Sequence, residues 1–210
     1  MNQTMTPSEK TMTTGQIDKA VNQYRAMLEK HAFQFPAEPT QQALGDPGLA
    51  KSQFELFRKR VETLSDIITR MVLVDYDLTP SELLAAVVGT GRTPYVDAAV
   101  LAAMPRPMGM SGKREVRAKV FKPRQESYQK GIISGAALQV EYQYRNVIAD
   151  PWLSFALNAA DPGFADQHPN GVPWPGCYAT FGRWGVKRVV NVYRNNDDWN
   201  DYWSFVGRGE

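Results

Sequence analysis

The chain has 210 residues, 43% of them hydrophobic and 22% charged, with a formal net charge of +2. That is enough chain for one large domain or two small ones with a buried core. The charge balance is too even to point to nucleic acid or an anionic membrane by itself.

Cys177 is the only cysteine, which excludes an internal disulfide and fits a reducing compartment. The first residues, MNQTMTPSEKTMTTGQ, lack the apolar run of a signal peptide, and no window approaches 18 continuous apolar residues. These features read as a soluble, cytoplasmic protein without a membrane span. Packaging into a virion, or export by a signal-independent route, leaves no mark in a sequence.

Residues 1–15 are rich in Thr, Ser and Gln without an apolar period, which predicts a disordered tail. Ile17, Val21, Tyr24 and Leu28 then form one stripe, predicting a helix from Gln16 to about Phe33 with His31 near its end. The proline- and glycine-bearing stretch 35–48 reads as a connection. A longer seam follows, in which Phe54, Phe57, Val61, Leu64, Ile68 and Met71 alternate spacings of three and four from about Leu49 to Val74. Such a seam needs a partner. The first helix, folding back antiparallel, is the expected one; a homo-oligomer through the same stripe is the alternative.

Thr79-Pro80-Ser81-Glu82 is a capping box that opens a short helix through Val88, ending at Gly89 or Gly91. Thr93-Pro94 repeats the start signal for a helix from Tyr95 to Met104. Residues 16–107 therefore read as a helical region, and PRPMGMSG (105–112) as the boundary.

Residues 113–210 read as an α+β module. Val116, Ala118 and Val120 alternate with basic residues, which predicts a strand. Residues 134–146 fit two templates, strict alternation for a strand and Ser134 with a Leu138/Tyr142 pair for a helix. Asp150-Pro151 starts a helix to about Ala160. Cys177–Trp184, Lys187–Arg194 and Tyr202–Val206 are Val-, Tyr- and Trp-rich runs with short connections, which predicts a C-terminal antiparallel meander. The fold class is α+β: antiparallel N-terminal helices, then a small antiparallel sheet with short helices.

All five tryptophans, Trp152, Trp174, Trp184, Trp199 and Trp203, lie in the last 60 residues. The densest run is Asn195-Asn196-Asp197-Asp198-Trp199-Asn200-Asp201-Tyr202-Trp203. Rigid aromatics give contact area at low entropy cost, and short amides and carboxylates give adaptable hydrogen bonds. The expected ligand-binding residues are Tyr193, Asn195, Asn196, Asp198, Trp199, Asn200, Tyr202 and Trp203, facing a protein or glycan. The same composition also suits a small core wrapped by turns.

Catalytic motifs are sparse. Asp161, Asp166 and His168, within DPGFADQHPNG, are the candidates for a divalent metal or an acid/base pair in a small hydrolase; a Pro/Gly-rich loop with local caps is the plainer reading. NNDDWND (195–201) offers oxygen ligands for calcium, or a solvated turn. Lys113, Arg114, Arg117, Lys119, Lys122, Arg124 and Lys130, with Phe121 and Tyr128 interleaved, suit a phosphate backbone or the wet face of an edge strand.

Trp199-Asn200-Asp201 resembles the Trp-Asn-Asp motif of C-type lectins, whose Asn and Asp bind calcium; the paired cysteines of that fold are absent. More broadly, from about Thr63 the chain resembles a group of uncharacterised proteins of small-genome bacteria. The resembling stretches include Tyr95-Val96-Asp97, Ser134 to Arg145, Ala149-Asp150-Pro151, Ala160 to Asp166, His168-Pro169-Asn170-Gly171, Cys177-Tyr178-Ala179 and Asp198 to Phe205. That resemblance implies a helix over 134–145 and carries no activity. The tail is also similar to variable segments written by diversity-generating retroelements, which scatter Asn, Asp, Tyr and Ser among fixed Trp, Phe and Gly. It implies a ligand-binding surface on a C-type-lectin-like fold.

Overall fold

The computed structural model describes residues 11–194 and 198–209. By contacts the chain divides into two units, Met1–Asp66 and Ile67–Glu210.

The first unit is helical: α1 (Thr14–His31), α2 (Ala37–Leu44) and α3 (Leu49–Glu62). Thr13 caps α1 by a reciprocal bond pair with Gln16. The expected disordered tail, 1–15, lies for its first ten residues outside the described residues, and Thr14 already belongs to α1. The connection expected over 35–48 holds the short helix α2. Gln53 Nε2 of α3 donates to the Tyr24 hydroxyl of α1, so the two long helices touch. Even so, none of residues 11–66 is buried.

The second unit holds β1 (Ile67–Asp75), α4 (Pro80–Val88), β2 (Thr93–Val96), α5 (Ala98–Ala102) and β3 (Lys113–Phe121). It continues with β4 (Ile132–Ser134), α6 (Gly135–Tyr144), β5 (Val147–Ala149), α7 (Pro151–Ala160) and α8 (Phe164–Gln167). It ends in β6 (Asn170–Trp174), β7 (Cys177–Trp184), β8 (Lys187–Arg194), β9 (Asp198–Asn200) and β10 (Ser204–Gly209). Together the two units make an α+β chain, helices first and most strands later.

The helical region expected over 16–107 needs correction, because β1 and β2 fall inside it. The seam helix ends at Glu62. Beyond it Ile67, Ile68, Thr69, Val72 and Val74 form a strand, where branched side chains pack well. That strand pairs with β3 along its whole length, from Ile67↔Phe121 to Asp75↔Lys113. The boundary expected at 105–112 is therefore crossed by a continuous β-ladder. Tyr95 likewise belongs to β2, which runs parallel to β8.

Among the described residues the main sheet has eight strands, in the order β1-β3-β10-β6-β7-β8-β2, with β5 pairing β10. The expected meander exists, but its strands are β6, β7 and β8. β10 is not its third strand; it lies between β3 and β6, antiparallel to one and parallel to the other.

Side chains alternate across the sheet. On one face Ala179, Phe181, Val190, Val192, Val120 and Val206 pack with Leu83 and Val87 of α4, Val100 and Leu101 of α5, and Leu153, Phe155 and Leu157 of α7. On the other face Phe121 and Phe205 pack with Ile133 of β4, Leu138 and Tyr142 of α6, and Trp199 of β9. Ser134 caps α6 through Ala137 N, so the stretch that fits two templates is helical over Gly135–Tyr144. The second covering layer reaches Tyr178 of β7 but leaves Trp184 and Tyr193, further along the same face, exposed. That uncovered end of the sheet carries the site.

Candidate ligand-binding site

Antiparallel register decides which residues share the outer face of β7 and β8. Tyr178 stands opposite Tyr193, Thr180 opposite Asn191, Gly182 opposite Val189 and Trp184 opposite Lys187. Their intervening neighbours, Ala179, Phe181, Val190 and Val192, are buried on the opposite face. From β2, Tyr95 sits in register with Asn191 and meets the Trp184 ring at 5.0 Å.

Trp199 and Trp203 close one end. Trp199 lies edge-on to Tyr178 at 5.4 Å and to Phe205 at 5.0 Å. Trp203 meets Trp199 at 6.4 Å and lies over the bare backbone of Gly182. The result is a cleft of about 270 Å³. Its walls are the rings of Tyr178, Trp184, Tyr193, Trp199 and Trp203, and its polar groups are Thr180, Asn191 and Asp198.

The floor is unusual in its hydrogen bonding. Asn191 is 6% exposed and donates from Nδ2 to Thr180 Oγ1 at 3.0 Å, while its Oδ1 has no partner among the described residues. A buried acceptor left unmet costs on the order of 1–3 kcal/mol. Burial pushes the Tyr178 hydroxyl above its usual pKa, and the neighbouring Tyr193 adds to this. Tyr178 is therefore a neutral donor at physiological pH.

The residues singled out from sequence divide unevenly. Tyr193, Asp198 and Trp203 line the cleft. Trp199, expected to face solvent, is 5% exposed and belongs to the smaller core cluster, so it is a wall of the cleft and not a free ring. Gly171 makes room for it by lacking a side chain. Asn200 accepts at Oδ1 from Tyr202 N at 3.1 Å, an Asx-type turn, and is not part of the lining. Tyr202 is exposed, stacked edge-on to Trp203, and is not part of the lining. Asn195 and Asn196 lie outside the described residues. Thr180, Trp184, Tyr178, Asn191 and Tyr95 were not in the expected set. An alternation count along the two strands carries the signal for the first four, since they share a face with Tyr193.

The other candidates have structural occupations. Asp166 is held by Arg188, whose Nη2 lies 2.6 Å from Oδ2 and whose Nε donates at 3.0 and 3.1 Å. Those bonds, with Arg183 and Arg92 nearby, keep its carboxyl below the usual pKa. The His168 ring stacks on Phe164 at 5.1 Å. Among the described residues no three His, Cys, Asp or Glu side chains gather as a metal site. In the basic stretch, β3 is an interior strand and not an edge; Arg124 bonds Glu141 and covers the Tyr144 ring at 3.9 Å, and Lys122 donates to the Asp201 carbonyl.

A second cavity, about 520 Å³, is rimmed by Pro105, Pro107, Pro151, Pro173 and Pro175. Its Arg208 faces the buried Asp150 at 3.8 Å. Asp150 also accepts from the Tyr76 hydroxyl at 2.8 Å and caps α7 through Leu153 N. That group ties β1 to α7.

Among the described residues no helix is long and apolar enough to cross a membrane. Comparison with protein-family models, with curated proteins and with solved structures finds no match.

Proposed function

We propose that this is a non-enzymatic binding protein that presents the outer face of β7 and β8 to a protein or glycan ligand, in the cytoplasm. The observation that carries this reading is the placement of the exposed Trp184 and Tyr193 around a concave floor, on a sheet face that is covered elsewhere. Exposed aromatics gathered around a few polar groups are the composition of a recognition surface. Asp166, one of the acidic candidates for catalysis, is engaged instead in an ion pair with Arg188.

The test is selection of ligands from peptide-display and glycan-array libraries, followed by rebinding to a Trp184→Ala/Tyr193→Ala double variant. Both positions are exposed, so the variant should melt with the parent, and the selected ligands should lose it. Equal binding by parent and variant would refute the reading.

A specific observation also favours self-association through the N-terminal helices. Ile17, Val21, Tyr24 and Leu28 of α1 and Phe54, Phe57 and Val61 of α3 are all exposed, although they form the apolar stripes of their helices. A helical unit none of whose described residues is buried gains little from internal packing, although tertiary packing of the apolar face supplies most helical stability. A second copy of this unit offers the matching stripe, and isologous pairing is the commonest way such a surface closes.

A further inference from the structure

Building on the binding reading above, we infer that the cleft takes a neutral saccharide, one ring at a time, with Asn191 and Thr180 as its polar anchors.

The floor selects the chemistry. Because Thr180 Oγ1 accepts from Asn191 Nδ2, its own O–H is left to donate, beside an Asn191 Oδ1 that accepts from no described residue. Adjacent hydroxyls of a sugar ring present that complement, since each both donates and accepts. An alkyl group or a quaternary ammonium would leave the buried Asn191 carbonyl unmet, which is the more costly arrangement.

The walls agree. A sugar ring is amphipathic, with apolar C–H faces and a polar rim, and a ligand of that kind needs aromatic faces beside a few fixed polar groups. Tyr178, Trp184, Tyr193 and Trp203 supply the faces. Asp198, also in the lining, is a charged acceptor for a further hydroxyl.

Charge and size exclude competitors. Among the described lining residues there is a carboxylate and no Lys, Arg or His, so phosphate, sulfate and nucleic acid find no cation to pair with in the lining. The volume of about 270 Å³ lies just under the usual range for drug-sized ligands, roughly 300–1,000 Å³. One ring fits, and the Tyr95–Trp184 pair continues the aromatic surface outward for a second.

The experiment titrates the full chain with methyl pyranosides and short neutral oligosaccharides, read by tryptophan fluorescence and amide chemical shifts. Thr180→Val and Asn191→Ala are run beside it, with melting curves as a fold check. At least one saccharide should bind, and each variant should weaken it about tenfold. Thr180→Val preserves shape, so it carries the test if Asn191→Ala does not fold. Saccharide binding unchanged in a folded variant removes the anchors and overturns the inference. So does binding of tetramethylammonium or betaine with no saccharide bound. If no saccharide binds while display-selected peptides bind and are lost in the Trp184→Ala/Tyr193→Ala variant, the sugar inference fails and the binding reading stands. If selected ligands ignore that double variant too, both fail.

Discussion

The Trp199 indole is seated on Gly171. A methyl group built at Gly171 would stand 2.9 Å from Cζ3 of that ring and 3.2 Å from Thr180 Cγ2. Because Trp199 and Thr180 both line the cleft, one glycine sets the depth of its wall and the position of its floor. Gly171→Ala should therefore destabilise the fold by about 1–3 kcal/mol through overpacking. Urea unfolding checks this: the midpoint should fall with the slope unchanged. A neutral substitution would mean that the indole does not rest there.

The same geometry separates two tryptophans that look alike in sequence. Trp199 is 5% exposed and packs on Tyr178 and Phe205, whereas Trp184 is 55% exposed. Trp199→Ala should cost about 3–5 kcal/mol, the range for truncating a buried large aromatic. Trp184→Ala should stay within about 0.5 kcal/mol of the parent, as surface changes do. Equal losses in thermal or urea unfolding would contradict this division, and with it the idea that Trp184 is kept for a ligand.

That pair also shows what was legible in the residues and what was not. Local signals were reliable where the physics is local. The Thr79–Glu82 box starts α4, Asp150-Pro151 starts α7, and the Val/Tyr/Trp runs mark β7 and β8 at the observed limits. The spacing of Phe54, Phe57 and Val61 belongs to a helical segment, but it continues by chance through Leu64, Ile68 and Met71. There pairing with β3, more than forty residues away in sequence, decides for strand. Burial of Trp199 depends on a glycine in another strand, and the facing of Thr180 and Asn191 depends on register. No window of neighbouring residues contains either fact.

Glu141 makes the stability of the smaller cluster pH-dependent. It is fully buried on α6 and accepts from Ser127 Oγ at 2.6 Å, Arg124 Nε at 2.8 Å and Arg124 N at 3.2 Å. Burial alone would raise its pKa, but these bonds outweigh it and hold the carboxyl below the ordinary 4.5. A depressed folded pKa means that the unfolded chain takes up the proton first. The contribution is thus complete above 4.5 and is lost as pH falls from there through the lower folded value. Glu141→Gln should cost about 2 kcal/mol at neutral pH, the scale of hydrogen bonds to a charged group. It should also flatten the acid limb of the stability profile below 4.5. An acid limb identical in both proteins would place the titration elsewhere.

Asp166 gives a second charge-based expectation. Its bidentate pairing with Arg188, Nε to Oδ1 and Nη2 to Oδ2, leaves little of the carboxylate for a cation. Addition of calcium, magnesium or zinc should leave the melting temperature unchanged, since a ligand that binds only the folded state must raise it. A concentration-dependent rise with any of the three that Asp166→Asn abolishes would reopen a metal role for the 161–168 segment.

Self-association and ligand binding should be separable yet coupled in strength. The apolar stripes of α1 and α3 are exposed, with Val21 at 52% and Phe54 at 58%, so burying them against a second copy is favourable at about 25 cal/mol per Å² of apolar area. Sedimentation equilibrium of the parent should show an oligomer, and Val21→Glu/Val61→Glu should shift it to monomer without changing the melting of the second unit. A single weak sugar site gains when copies are joined, because the second contact becomes intramolecular. Avidity then rises by roughly 10²–10⁴ when the spacing permits. The monomeric variant should therefore keep its affinity for a free pyranoside and lose most of its retention on a surface coated with the same sugar. Loss of free-sugar affinity instead would mean that the helices support the site itself.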